Sequence, residues 1–215
     1  MLWYRLYILP YILLALGSFV AAFGLSAVVQ SNVVALGGDP VISEQAIVNE
    51  EGLPDENEPD CENYKVSNNQ PRKIIMPTIN TEGCLQKVSI DSKGAIGVPN
   101  NIHVGGWYIG LSMPGNKGLS LIDGHLRGLY NQGIFENLYK LKGGDKFEIE
   151  YGDGSSKKFE VVSVKQYTVR ETSARMFYKH PDIDSQLNLI TCFGEWQSDT
   201  RQFNQRILVV TKLVR

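Results

Sequence analysis

Apolar and polar residues alternate in three different ways along this chain. From Leu6 to Val29 the 24 residues are nearly all apolar, with no polar face. As a helix rising 1.5 Å per residue that stretch is about 36 Å long, enough to cross a bilayer core of about 30 Å with some tilt. A cleaved signal peptide has an apolar region of only about 7–15 residues, so residues 1–30 read as a cytoplasmic N-terminus and an uncleaved transmembrane anchor. From Ser31 to Tyr64 the apolar signal fades. From Lys65 onward short apolar runs return, many with period two, separated by turn residues. They predict strands at Lys73–Ile79, Cys84–Ile90, His103–Ile109, Leu119–Ile122, Asp145–Tyr151, Lys157–Val169, Asn188–Cys192 and Arg206–Val210. Gly152-Asp153-Gly154-Ser155 reads as a hairpin turn. Ile134, Phe135, Leu138 and Leu141 have a short helical spacing within Leu129–Leu141. Eight short strands with turn signals argue an all-β fold, a closed barrel or sandwich with short helices.

Charge separates the same three regions. Arg5 is the only charged side chain before Asp39, so the positive-inside rule leaves the N-terminus in the cytoplasm and the rest outside. Residues 31–64 hold nine acidic side chains and no Lys or Arg, a composition that reads as a solvated linker. Residues 65–215 hold 20 of the 21 Lys and Arg residues and 14 of the 23 acidic ones, a balance of +6. The basic residues are not interleaved with aromatics, so no nucleic-acid partner is expected. No His or Cys spacing suits a metal, and no glycine-rich turn opens a helix in a phosphate-binding pattern, so no cofactor is expected.

Chemistry concentrates near the C-terminus. Asn188-Leu-Ile-Thr-Cys192 and Arg206-Ile-Leu-Val-Val210 read as two strands joined by a long loop, Phe193–Gln205, that brings a thiol and a guanidinium to one space. Leu187 and Leu189 share one face of the first strand, and Ile207, Val209 and Leu213 one face of the second. If those faces fill the barrel, Cys192 and Arg206 both point outward into a groove on its wall. A thiol with a pKa of about 8.5 needs a base or a positive charge to act as a nucleophile at neutral pH. His125 follows Gly124 at a strand end, where a side chain is presented to a cleft. Cys with His and a charge-stabilising third group is the thiol-nucleophile arrangement. His103 and His180 read as structural or loop residues and Arg201 as solvated. Asp123, beside Gly124-His125, is left out of the core set, because a strand neighbour's carboxylate need not point at the imidazole.

In this order, the residues resemble the sortases, membrane-anchored cysteine transpeptidases. Leu189-Ile-Thr-Cys192 resembles the family's TLxTC strand, Gly124-His125 its GH, and Arg206-Ile-Leu-Val-Val its arginine strand. Val104-Gly-Gly-Trp-Tyr108, Pro114–Gly118 and Gly133–Leu138 with Gly144-Asp145 resemble the class called E or F. The resemblance covers roughly Lys73 to Arg215. It implies a closed eight-stranded β-barrel and acyl transfer from an LPXTG-like C-terminal motif of an exported protein to a cell-wall precursor or other envelope amine. Catalysis would rest on His125, Cys192 and Arg206. Thr191 and, in the loop Arg170–Gln186, Thr172, Ser173, Met176, Phe177 and Tyr178 would contact substrate. The chain would be a single-pass membrane protein with its catalytic domain, residues 65–215, outside the cell. No second apolar span or lid motif appears, which argues against the pilin-polymerising class.

Three cysteines leave one unpaired in a monomer. Cys61 and Cys84 can pair, closing a loop worth roughly 3 kcal/mol in the chain-entropy model and leaving Cys192 as the odd thiol. Otherwise Cys84 is a buried thiol and Cys61 an exposed one. Two other functions fit the same residues: an envelope thiol peptidase that hydrolyses its acyl-enzyme, and a non-catalytic, membrane-tethered binding barrel.

Overall fold

The computed structural model describes residues 54–90 and 94–214. The expected membrane span and most of the acidic linker lie outside these residues. Among the described residues no helix is long and apolar enough to cross a membrane.

The elements are β1 (Pro71–Met76), β2 (Thr81–Val88), β3 (Gly105–Tyr108), β4 (Gly118–Asp123), β5 (Lys146–Tyr151), β6 (Ser156–Thr168), α1 (Val169–Arg175), β7 (Ser185–Gln197) and β8 (Gln202–Leu213). They close into a barrel in the order β1-β2-β3-β4-β7-β8-β6-β5. The pairs β2–β3 and β4–β7 are parallel and the others antiparallel. Period two decides which side chains enter. In β5, Phe147, Ile149 and Tyr151 are buried while Lys146, Glu148 and Glu150 lie outside or partly covered. Phe147 stacks on its cross-strand partner Phe159 of β6, ring centroids 5.5 Å apart. Ile74, Met76, Leu85, Trp107, Ile122, Leu187, Leu189, Ile207 and Val209 complete the central core with them.

Four expectations need correction. The loop expected from Phe193 to Gln205 is mostly strand, because β7 and β8 continue to Gln197 and Gln202. A register shift at Gly194, which takes φ +84°, breaks the alternation there, and Trp196 and Phe203 pair edge to face beyond it. Leu129–Leu141 forms only a short 3-10 turn, Leu138–Lys140. The Ile134 and Phe135 N–H groups donate to Ile102 and His125 carbonyls instead of to a helix of their own. Conversely, part of the expected loop 170–186 is the helix α1, started by a reciprocal cap between Thr168 and Glu171.

The fourth correction concerns residues 54–64, which pack on the barrel although they were assigned to the solvated linker. Cys61 and Cys84 form a disulfide with Cα atoms 5.2 Å apart. Arg72 donates to the Cys61, Glu62 and Tyr64 carbonyls. The Glu56 carboxylate accepts the backbone N–H groups of Leu129, Tyr130 and Asn131. These acidic and backbone groups find partners on the folded domain, which composition alone does not reveal.

Candidate active site

Three neighbouring strands, β4, β7 and β8, bring the candidate residues together. Cys192 on β7 lies directly opposite Arg206 on β8. Leu187, Leu189, Ile207 and Val209 fill the core, so Cys192 and Arg206 face out of the barrel, as period two predicts. Directly opposed side chains have Cβ atoms about 4.5–5.5 Å apart, within reach of a shared ligand atom. The Arg206 Nη1 group donates to its own strand's Phe203 and Gln205 carbonyls, each at 2.8 Å. That anchors the guanidinium and leaves Nε and Nη2 for other acceptors.

His125 is delivered from the other side of β7. β4 runs parallel to β7 with Asp123 opposite Ile190, and Gly124 then donates its N–H to the Ile190 carbonyl at 3.2 Å. This carries His125 to the level of Cys192. Gly124 has no room for a side chain, since a Cβ would lie 2.6 Å from the Phe135 ring. The His125 carbonyl accepts the Phe135 N–H at 2.9 Å. Its ring Nε2–H donates to the Pro99 carbonyl at 2.7 Å. A carbonyl only accepts, so Nε2 keeps its proton and Nδ1 is the nitrogen able to exchange one.

Burial sets the resting charges. It pushes the Cys192 thiol up; the Arg206 charge opposes that, and Asp123 adds to it. Burial likewise holds the His125 imidazole below the usual histidine range, against the pull of the Pro99 carbonyl. At neutral pH Cys192 therefore rests mainly as a thiol and His125 as a neutral imidazole.

The remaining predicted residues divide. Thr191 is 1% exposed and its hydroxyl donates to the Gly124 carbonyl at 2.8 Å. It faces away from the groove expected to hold substrate and holds the His125 turn to β7. Thr172 is 2% exposed and donates to the Thr168 carbonyl within α1, so it too is withdrawn from a groove. Ser173 lies on the exposed side of that helix and donates to the Val169 carbonyl. Met176, Phe177 and Tyr178 follow the helix along the face of β7 that carries Cys192. The buried side chains of Asn188 and Gln186 hold the Met176 and Tyr178 carbonyls there, at 2.8 and 2.9 Å. Phe177 and Tyr178 are 44% and 56% exposed.

His103 sits under the 54–64 arm, its Nε2 3.2 Å from the Glu56 carbonyl, and His180 packs edge to face on Tyr178. Neither joins Cys192. Arg201 is exposed in the β7–β8 turn at φ +52°. The acceptor that orients His125 is a main-chain carbonyl, Pro99, for which no side-chain pattern exists in the sequence. Among the described residues no cluster of three His, Cys, Asp or Glu side chains is arranged to hold a metal.

The Sortase domain family model matches residues 76–214, most of the described barrel. The chain belongs to the sortase family. It is accordingly a cysteine transpeptidase. Solved sortases share the fold. The lid mutant of Corynebacterium diphtheriae sortase A is 25% identical with a TM-score of 0.52, over 67% of this chain and 70% of that one. Streptococcus agalactiae sortase C1 in complex with MTSET is 23% identical with a TM-score of 0.51, over 70% of each chain. A Clostridium perfringens sortase D5 transpeptidase is 21% identical with a TM-score of 0.50, over 70% of this chain and 83% of that one. No curated protein matches this sortase significantly.

Proposed function

We propose that this sortase cleaves an LPXTG-like sorting motif near the C-terminus of exported proteins and joins the new acyl end to a cell-envelope amine. The observation that carries the reading is the placement of Cys192 opposite Arg206, with His125 brought alongside by the adjoining parallel strand. The Cys192 proton passes to His125 Nδ1, and the thiolate sulfur attacks the scissile carbonyl carbon. The Nε and Nη2 donors of Arg206 stabilise the oxyanion that develops. His125 then protonates the leaving amine as the C–N bond breaks, and a thioester remains on Cys192. An incoming amine gives its proton to His125, attacks the thioester and expels the thiolate. Ser173, Met176, Phe177 and Tyr178 line the approach for the motif. The apolar stretch Leu6–Val29 anchors the enzyme in the membrane with the barrel outside the cell, where its substrates emerge.

The test is a ligation assay. The protein is incubated with LPXTG-like peptides and an excess of a glycine-type amine, beside Cys192→Ala, and products are read by mass spectrometry. A ligated product that requires Cys192 supports the proposal. Cleavage without ligation identifies a peptidase instead, and no product from any peptide refutes the substrate class.

A further inference from the structure

We propose that Asp123 is a positioning residue of this active site, whose charge state governs how far the Arg206 charge supports the Cys192 sulfur. The proposal rests on the reading of Cys192 as nucleophile. Its geometry starts at β4, where Ile122 enters the core, so the next side chain, Asp123, faces outward. Asp123 pairs with Ile190, and Cys192 lies two residues further along the same outer face of β7, directly across from Arg206. Asp123, Cys192 and Arg206 therefore share one patch on three consecutive strands.

The patch, whose three side chains are partly exposed, is covered on the β3 side. There the partner of Asp123 is Gly106, which brings no side chain. A Cβ on Gly106 would lie 2.9 Å from Pro99 Cδ and 2.7 Å from Val88 Cγ1, so the Pro99 segment lies directly over this face. The same Pro99 holds His125 through its carbonyl. The ionisable groups around the Asp123 carboxyl are Cys192 from β7, Arg206 from β8 and His125 just beyond β4.

Burial raises the Asp123 carboxyl to about 7, against the Gly124 N–H and the Arg206 charge. Asp123 in turn pushes the Cys192 thiol up. Below about pH 7 the carboxyl is neutral and Arg206 acts on the sulfur unopposed. Above it the carboxylate offsets Arg206 and makes the thiolate harder to form. The residue is a built-in brake on the alkaline side.

The test measures the rate at which iodoacetamide alkylates Cys192 in the full chain between pH 5.5 and 10, by intact mass without reductant, so that the disulfide shields Cys61 and Cys84. A like charge about 7–8 Å away across one strand, at an effective dielectric of about 20, lowers the thiolate fraction by roughly 30–50-fold. The wild-type curve is expected to show a shoulder near pH 7 before the thiol itself ionises. Asp123→Asn is expected to lose the shoulder, match wild type below pH 6 and react about 30–50-fold faster near pH 8–9. Superimposable curves, or a slower variant at pH 8, overturn the proposal. Should the variant fail to fold, the wild-type curve still decides, because a single ionisation with no shoulder also overturns it. Ligation by the wild type is scored in the same buffers. A shoulder without ligation supports Asp123 and refutes the proposed substrate class, so the two failures are told apart.

Discussion

Thr191→Val separates a strut from a substrate contact. In the sequence, Thr191 sits beside Cys192 and suggests a residue that touches substrate. In the fold, its buried hydroxyl donates to the Gly124 carbonyl at 2.8 Å, one residue before His125. Valine keeps the shape and removes the donor. Leaving a buried carbonyl without its partner costs about 1–3 kcal/mol, and the added methyl returns about 0.8 kcal/mol. The net loss of about 0.2–2.2 kcal/mol lowers Tm by up to about 9 °C for a domain of this size. Freed from β7, the turn lets His125 drift, and a misplacement of order 1 Å costs up to about 100-fold in rate. Thermal unfolding by circular dichroism and steady-state ligation kinetics are the assays. The strut predicts a fall of about 10–100-fold in kcat with KM within about twofold, and recovery in Thr191→Ser. A raised KM with unchanged kcat would make Thr191 a substrate contact. A variant with wild-type Tm and kcat would refute the strut outright.

Other perturbations probe the rest of the site. Arg206→Ala should lower kcat/KM by about 10²–10³-fold, as loss of an oxyanion donor does, and should slow Cys192 alkylation near pH 8, because the guanidinium is what draws the thiol down. Unchanged alkylation would limit Arg206 to substrate binding. The Asp123 carboxyl titrates near 3.8 when unfolded and about 7 when folded. The unfolded state therefore holds fewer protons between those values, and stability is full below about pH 4 and falls as pH rises through 7. Asp123→Asn should match wild type at pH 4 and be the more stable protein at pH 8 in urea titrations; equal stability at both would contradict the buried carboxyl. Cys61→Ser with Cys84→Ser opens a bridge between residues 23 apart in sequence, and should cost about 3 kcal/mol of unfolding free energy. Glu56→Ala should speed amide exchange at Leu129, Tyr130 and Asn131, whose N–H groups its carboxylate accepts, while β7 amides keep their protection.

The barrel and the outward face of its site were legible because strand alternation is a strong signal wherever one face is fully buried. Leu187 and Leu189 against Ile207 and Val209 fix which way Cys192 and Arg206 point, and the packed core agrees. Alternation fails where a bulge intervenes. Gly194 shifts the register, so the strand beyond it looked like loop although Trp196 and Phe203 pair across it. The helix α1 carried a visible signal, Thr168 three residues before Glu171, in a segment otherwise scored for substrate contacts. The packed arm 54–64 had only its cysteine as a sign. Its acidic side chains meet partners such as Lys73 and the 129–131 backbone that are remote in sequence. For Thr191 the sequence shows a hydroxyl beside a cysteine; only the register with β4 shows that it points inward to Gly124.

The central claim is that Cys192 forms a thioester which an amine resolves. It is tested most directly by weighing the intact protein during reaction with a cleavable LPXTG-like peptide before any amine is added. An acyl adduct on Cys192 is expected, absent in Cys192→Ala and discharged to ligated product when a glycine-type amine is supplied. Peptide cleavage at the wild-type rate by Cys192→Ala, or an adduct that no amine discharges, would contradict it.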